Sequence, residues 1–210
     1  CGTVPNDITY SVLISASGKA KQPDQAMEIF KNMKQRGVLP TVVTYSALIS
    51  ALREGKRPEQ ALEIFIDMRL RGIIPNVITY NALMSIAEKS TYPEQAVQIF
   101  KHMRQNDVAA NVITYSALIS AVGKGKHPEQ ALKIFKEMLS RGIMPDVIMY
   151  NATITALGRG DKPAQALEIF REMVWHSVKP NVITYSTLIS ACGKGNQPAK
   201  ALEMGKGQAV

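Results

Sequence analysis

The sequence holds few cysteines: Cys1 and Cys192 are the only two, and no paired motif joins them. A disulfide framework is thereby excluded, and a reducing compartment is the default. Acidic residues are also in deficit, 17 against 25 Lys and Arg, which leaves a formal charge of +8. That balance favours an acidic partner such as nucleic acid or a membrane surface and says nothing of fold. Long apolar runs are missing as well. No stretch free of Asp, Glu, Lys and Arg is longer than Val108 to Gly123, which carries Asn111, Thr114, Tyr115, Ser116 and Ser120. It is too short and too polar to span a bilayer, so no membrane partner is expected. No secretory or transit peptide opens the chain, which begins with Cys1.

Catalytic patterns are scarce too. His102, His127 and His176 neither cluster at helical spacing nor recur, and there is no C-x-x-C, so His127-Pro128-Glu129 is not part of an H-x-E deaminase signature. The Gly-Lys pairs, such as Gly123-Lys124, are expected between helices and lack the preceding strand of a phosphate-binding loop. Cys192 falls on an apolar helix face and reads as core rather than nucleophile. The expectation is a protein that is not an enzyme, with no cofactor and no metal.

What the sequence has is a period. Tyr10, Tyr45, Tyr80, Tyr115, Tyr150 and Tyr185 stand 35 residues apart without slippage. Pro23, Pro58, Pro93, Pro128, Pro163 and Pro198 keep the same interval. So do Pro5, Pro40, Pro75, Pro145 and Pro180, with Ala110 in the vacant place, and Phe30, Phe65, Phe100, Phe135 and Phe170. Such landmarks mark a tandem repeat. Its parts read as the tail of a preceding repeat at 1–6, then repeats at 7–41, 42–76, 77–111, 112–146 and 147–181, and an incomplete one at 182–210.

Each unit predicts two helices. In the unit after Pro75, Asn76 suits an N-cap, and Tyr80, Leu83, Met84 and Ala87 recur at i, i+3, i+4, i+7 as an apolar stripe. Thr79 and Ala82 flank that stripe with small residues that let another helix approach. The second helix opens at Pro93-Glu94, proline at N1 and an acid at the positive end of the dipole, and buries Ala96, Ile99, Phe100 and Met103. Arg71, Gly72 and Pro75 end the preceding one, glycine supplying a left-handed cap. Helices of about 12 residues cannot bury a face alone, whereas stacked pairs can. The predicted fold is all-α, a right-handed α-solenoid of helix-turn-helix repeats, an α-α superhelix. Gly205 stands where Phe170 would recur, so the last helix should fray from about 205, and uncapped end faces invite self-association.

A helical wheel of the first helix places four positions on one strip beside the apolar stripe. At its head are Ile8, Val43, Ile78, Ile113, Ile148 and Ile183. Below them come Ser11, Ser46, Asn81, Ser116, Asn151 and Ser186, then Ser15, Ser50, Ser85, Ser120, Thr155 and Ser190. The foot is Lys19, Glu54, Lys89, Lys124, Arg159 and Lys194. One β-branched apolar residue, two hydrogen-bonding residues and a cation per unit suit a ligand that repeats a flat ring, an edge of donors and acceptors, and a phosphate. Single-stranded nucleic acid is such a ligand. Of 17 acids, only Asp7, Glu54 and Glu88 lie between a unit's start and its foot. Each feature alone has a plainer reading: small residues as helix spacers, Ile or Val as packing, lysines as a solvated face. Their conjunction on one face favours the ligand.

The landmarks V-I-T-Y-[SN]-A-L-I-S-A and G-K-x-x-x-P-E-Q-A-L-x-I-F-x-x-M-x-x-R-G-I-x-P-[ND] resemble the pentatricopeptide repeat family over essentially the whole chain. The Trp-Leu-Gly-Tyr signature of peptide-binding tetratricopeptide repeats is absent. The resemblance implies sequence-specific binding of single-stranded RNA in a mitochondrion or plastid, in processing, stability, editing or translation of transcripts. It also implies that each base is read by the residue after the tyrosine together with the last residue of the repeat. The pairs are Ser11 with Thr41, Ser46 with Asn76, Asn81 with Asn111, Ser116 with Asp146, and Asn151 with Asn181, while Ser186 lacks a partner. They imply a core of 5′-A-Y-G-Y-3′, the N-terminus lying toward the 5′ end. Bases would lie between the Ile and Val residues at the head of the strip. Lys19, Lys89, Lys124, Arg159 and Lys194 would lie near phosphates; Glu54 departs from that role. Met149 replaces the usual Thr, and Asp107 and Ala110 replace Gly and Pro, departures at the entries of two helices. The alternative is a protein-binding or self-associating helical scaffold.

Overall fold

The computed structural model describes residues 5–89 and 93–194. The described residues form eleven helices of 13 residues each and no strand. First helices of the repeats are α1 (Asp7–Lys19), α3 (Val42–Glu54), α5 (Val77–Lys89), α7 (Val112–Lys124), α9 (Val147–Arg159) and α11 (Val182–Lys194). Second helices are α2 (Pro23–Gln35), α4 (Pro58–Leu70), α6 (Pro93–Gln105), α8 (Pro128–Ser140) and α10 (Pro163–Trp175). The all-α helical-repeat architecture expected from the period is what the chain adopts. The expected fraying near Gly205 and most of the leading tail lie outside the described residues.

Local chemistry sets the boundaries. Asn6, Asn111 and Asp146 each accept a bond from the backbone amide three residues on, at 3.0, 3.1 and 2.8 Å, and so cap the first helices. Second helices α2, α4, α8 and α10 start on proline, whose missing amide would be unpaired there anyway. Gly37, Gly72 and Gly142 are left-handed, at φ between 70° and 74°, and end second helices as expected. Asp107 and Ser177 take the same conformation at φ 54° and 58° where glycine is missing. The amide of Val108 still closes onto Met103 O at 3.1 Å, as Ile73 does onto Met68 O, so the turn survives the substitution. Gly123-Lys124 ends α7 rather than lying between helices, which corrects the expectation for that pair, whereas Gly55-Lys56 and Gly125-Lys126 do lie in turns between helices. A Cβ on Gly123 would lie 2.5 Å from Ala156 Cβ, and one on Gly18 2.8 Å from Ala51 Cβ, so first helices touch backbone to backbone there.

The chain divides into two compact units, 1–86 with 101–109, and 87–100 with 110–210. In the first, α1 packs on α2 and α3, and α3 on α4. Tyr45 is wholly buried, meets the Phe30 ring edge-on at 5.4 Å between centroids, and donates to Asp67 Oδ2 at 2.6 Å. Burial, with the Asp67 carboxylate beside it, pushes the Tyr45 phenol well above its ordinary value. In the second unit α9 packs on α7, α8, α10 and α11. Phe135 meets Tyr150 at 5.5 Å with the rings tilted, and Phe170 meets Tyr185 edge-on at 5.8 Å. The Phe and Tyr landmarks are therefore one contact, a second helix of one repeat held to the first helix of the next. Tyr80, Leu83, Met84 and Ala87 are buried as their spacing requires, as is Cys192.

Candidate nucleic-acid interface

The strip on the first helices begins with residues that should be inside if packing alone explained them. Instead Ile8, Val43, Ile78, Ile113, Ile148 and Ile183 are 65, 59, 56, 63, 64 and 60% exposed. Each sits in the first turn of its helix, directly after the capping segment, while the tyrosine two residues on turns inward. Six β-branched side chains held in water at the same register are not a core feature.

In the first unit the strip lines a cavity of about 620 Å³. Ile8, Val43 and Ile78 stand around it with Ser11, Ser15, Ser46 and Ser50, and Lys19 and Asn76 belong to its wall. Ser11 and Ser46 are only 5 and 3% exposed, which corrects the picture of an open polar strip drawn on a helical wheel. The reason is tertiary: a threonine on the following first helix bonds each of them. Ser11 Oγ lies 2.9 Å from Thr44 Oγ1, and Ser46 Oγ 2.7 Å from Thr79 Oγ1 and 3.1 Å from Asn76 Oδ1. Asn76 Oδ1 also accepts the Thr79 amide at 3.0 Å, so its Nδ2 is turned away from the helix end. Thr41 caps α3, its Oγ1 3.3 Å from Thr44 Oγ1. Asn81 and Ser85 are half-buried on α5. Glu54, the departure at the foot of the strip, is paired with Arg53, and both line the cavity.

In the second unit Asn151 is buried, its Oδ1 accepting from Thr184 Oγ1 at 2.7 Å and its Nδ2 donating to Asn181 Oδ1 at 3.2 Å. Thr155 donates to Asn151 O, and Ser186 and Ser190 are exposed. Ser116 is half-buried; Met149 is buried, and its amide donates to exposed Asp146. Asn111 is exposed at the start of α7. Among the cations, Lys89 is exposed, and Lys124 donates to Glu88 O at 2.7 Å and lies 3.5 Å from the Glu88 carboxylate. Ser120 donates to that same carboxylate at 2.8 Å, so Glu88 gathers two strip residues. Arg159 is exposed and shares a cavity of about 540 Å³ with Lys124, Lys126 and Asp161. Lys194 ends α11, its side chain outside the described residues.

Comparison with known families decides what the repeat is. The profile of the pentatricopeptide repeat domain matches residues 47–90, 63–125 and 133–195, that of the PPR repeat family residues 5–54, and that of the PPR repeat residues 113–143. The chain belongs to the pentatricopeptide repeat family. No curated protein matches it. Among solved structures, it resembles the pentatricopeptide repeat protein PPR10 in complex with an 18-nucleotide psaJ RNA element, at TM-score 0.79 and 24% identity, over 98% of this chain and 30% of that one. It also resembles the PPR domain of Arabidopsis thaliana protein-only RNase P 1 in complex with tRNA, at TM-score 0.66 and 20% identity, over 77% of this chain and 88% of that one. A third is nuclear proteinaceous RNase P 2 from A. thaliana, at TM-score 0.76 and 13% identity, over 88% of this chain and 42% of that one. These likenesses are of fold.

Three basic residues near the strip of this pentatricopeptide repeat chain escaped the sequence reading. Lys21 and Arg53 line the first cavity, and Lys126 adjoins Arg159. Lys21, Lys56 and Lys126 occupy equivalent left-handed turns at φ 56°, 56° and 57°. Their 35-residue recurrence (Lys56 to Lys126 skipping one repeat) was the signal that could have exposed them. Two of the three histidines serve structure: His102 and His176 Nδ1 lie 2.8 and 2.6 Å from the hydroxyls of Tyr80 and Tyr150.

Proposed function

We propose that this chain binds single-stranded RNA, about one base per repeat, with the first-helix strip as the contact surface. The observation that carries the reading is that six Ile and Val residues, one per repeat at the same place in each first helix, are exposed. Stacked bases would cover apolar surface that otherwise faces water. The RNA in the PPR10 complex supports the same ligand class.

The capping geometry gives the base preferences a physical basis. The amide Oδ1 of Asn76 and of Asn181 is held by Thr79 and Thr184, which leaves the Nδ2 donor for a base. Asp146 presents only acceptors when ionised, and one oxygen is engaged by the Met149 amide, so the other suits the donors on the guanine edge. Read in chain order, Ser46 with Asn76 favours A, Asn81 with Asn111 a pyrimidine, Ser116 with Asp146 G, and Asn151 with Asn181 a pyrimidine. Lys19, Lys89, Lys124, Arg159 and Lys194 stand for phosphate contacts, and organelle transcripts are the proposed targets, by the family's habit.

Titration of the chain with 5′-A-Y-G-Y-3′ oligonucleotides at several salt concentrations tests this. Five contacts on a single strand give a slope of log K against log salt of about −3.5. Asp146→Asn should shift preference at one base from G toward A. Absence of binding at low salt, or a flat salt response, would overturn the proposal. A second reading, protein docking, is favoured by α4, where Leu62, Ile66 and Leu70 form one exposed apolar line at 37, 54 and 83%. Light scattering that shows a concentration-independent monomer with full RNA affinity removes self-association as the main function.

A further inference from the structure

Four of the reading residues differ in what they must give up before meeting a base. Ser11 and Ser46 are tied to Thr44 and Thr79 on the next first helix, and Asn151 to Thr184, at 2.7 to 2.9 Å. These threonines are wholly buried or nearly so and occupy the third position of their helices, where they also serve the cap. Met149 takes that place after Ser116. A thioether is at best a weak acceptor, and among the described residues the Ser116 side-chain hydroxyl has no hydrogen-bond partner.

Resting on the RNA reading above, we propose that Met149 is a positioning residue that leaves the Ser116 hydroxyl unclaimed, so that the fourth repeat meets its base without breaking an internal bond. In repeats one, two and five the base has to displace, or share, a threonine hydroxyl. Each exchange of a protein bond for a base bond is close to neutral, whereas an unclaimed hydroxyl in a half-buried site gains the whole bond. The fourth repeat is then the one that anchors register, and the pairing threonines set how strongly their neighbours contribute. Specificity in this chain would depend on a third residue beside the two that face the base.

The test compares wild type, Met149→Thr and Met149→Val on 5′-A-Y-G-Y-3′ RNA and on the same RNA with an abasic site in place of G. Threonine is what the equivalent positions hold, so it fits, and valine has its shape without the hydroxyl. Met149→Thr should weaken binding to the intact RNA about three- to tenfold, the worth of one neutral hydrogen bond. Met149→Val should not weaken it, and the abasic RNA should bind all three alike. The reverse substitution is Thr44→Val, since Thr44 alone claims the Ser11 hydroxyl whereas Ser46 is also held by Val42 O and Asn76. It should strengthen binding to RNA extended by one base on the 5′ side of A by a factor of about two to five. Equal affinities for Met149→Thr and wild type, or a loss that persists on abasic RNA, would overturn this inference while leaving RNA binding in place. Failure of the wild-type chain to bind any RNA would overturn both.

Discussion

Ile148 and Ile154 lie on the same helix and separate binding from folding. Ile148 is 64% exposed at the head of the strip, whereas Ile154 is wholly buried. Full burial of such a side chain is worth about 1.5–3 kcal/mol, so the part of Ile148 still in water holds roughly 1–2 kcal/mol. A base that covers half of it would recover about 0.5–1 kcal/mol. Ile148→Ala should therefore reduce RNA affinity about two- to fivefold, and Ile113→Ala with Ile148→Ala about five- to thirtyfold if the sites add. Neither should move folding stability by more than about 0.5 kcal/mol. Ile154→Ala should do the opposite, costing about 2–5 kcal/mol of stability through the cavity it leaves. Fluorescence anisotropy with labelled RNA and urea denaturation measure the two quantities on the same preparations. If Ile113→Ala with Ile148→Ala binds like wild type, the exposed row is not a base platform and the functional argument loses its support.

Further outcomes follow from the packing. Gly123→Ala brings a better helix former, yet its Cβ would lie 2.9 Å from Ala156 Cα, a backbone atom that cannot step aside, so a net loss of about 1–3 kcal/mol is expected in chemical denaturation. Burial, reinforced by the charge of Arg69, holds His102 below its ordinary 6.5. The unfolded chain then takes up the proton first, so stability is full above about pH 6.5 and falls as pH drops through 6.5 to the folded value, below which this contribution is constant. His102→Asn, which copies the pairing of Asn32 with Tyr10, should flatten the thermal midpoint between pH 7.5 and 5.5. A midpoint profile that the substitution leaves unchanged would refute it.

Helix boundaries were legible because their signals are local. Proline at the start of α2, α4, α8 and α10 and the capping Asn6, Asn111 and Asp146 each act within one turn of themselves. The apolar stripe through Tyr80 and Met84 was legible for the same reason. Burial of Ser11, Ser46 and Asn151 was not, because it depends on hydroxyls 33 residues further on, and a wheel drawn for one helix cannot contain them. The tether between Lys124 and Glu88 crosses repeats in the same way, 36 positions apart. Met149 was visible as a departure, but its meaning required seeing what the threonines at equivalent places do.

The turns at Lys21, Lys56 and Lys126 are left-handed although no glycine occupies them. An L-residue there costs of order 1 kcal/mol that glycine would avoid. Repetition multiplies that cost along the chain, and what it retains at these three bends is an ammonium group, where Asp161 places a carboxylate at the equivalent one. For anyone lengthening or resurfacing such an array, these bends are adjustable joints: glycine relaxes the backbone, lysine keeps the charge, and the choice can be made separately in every module.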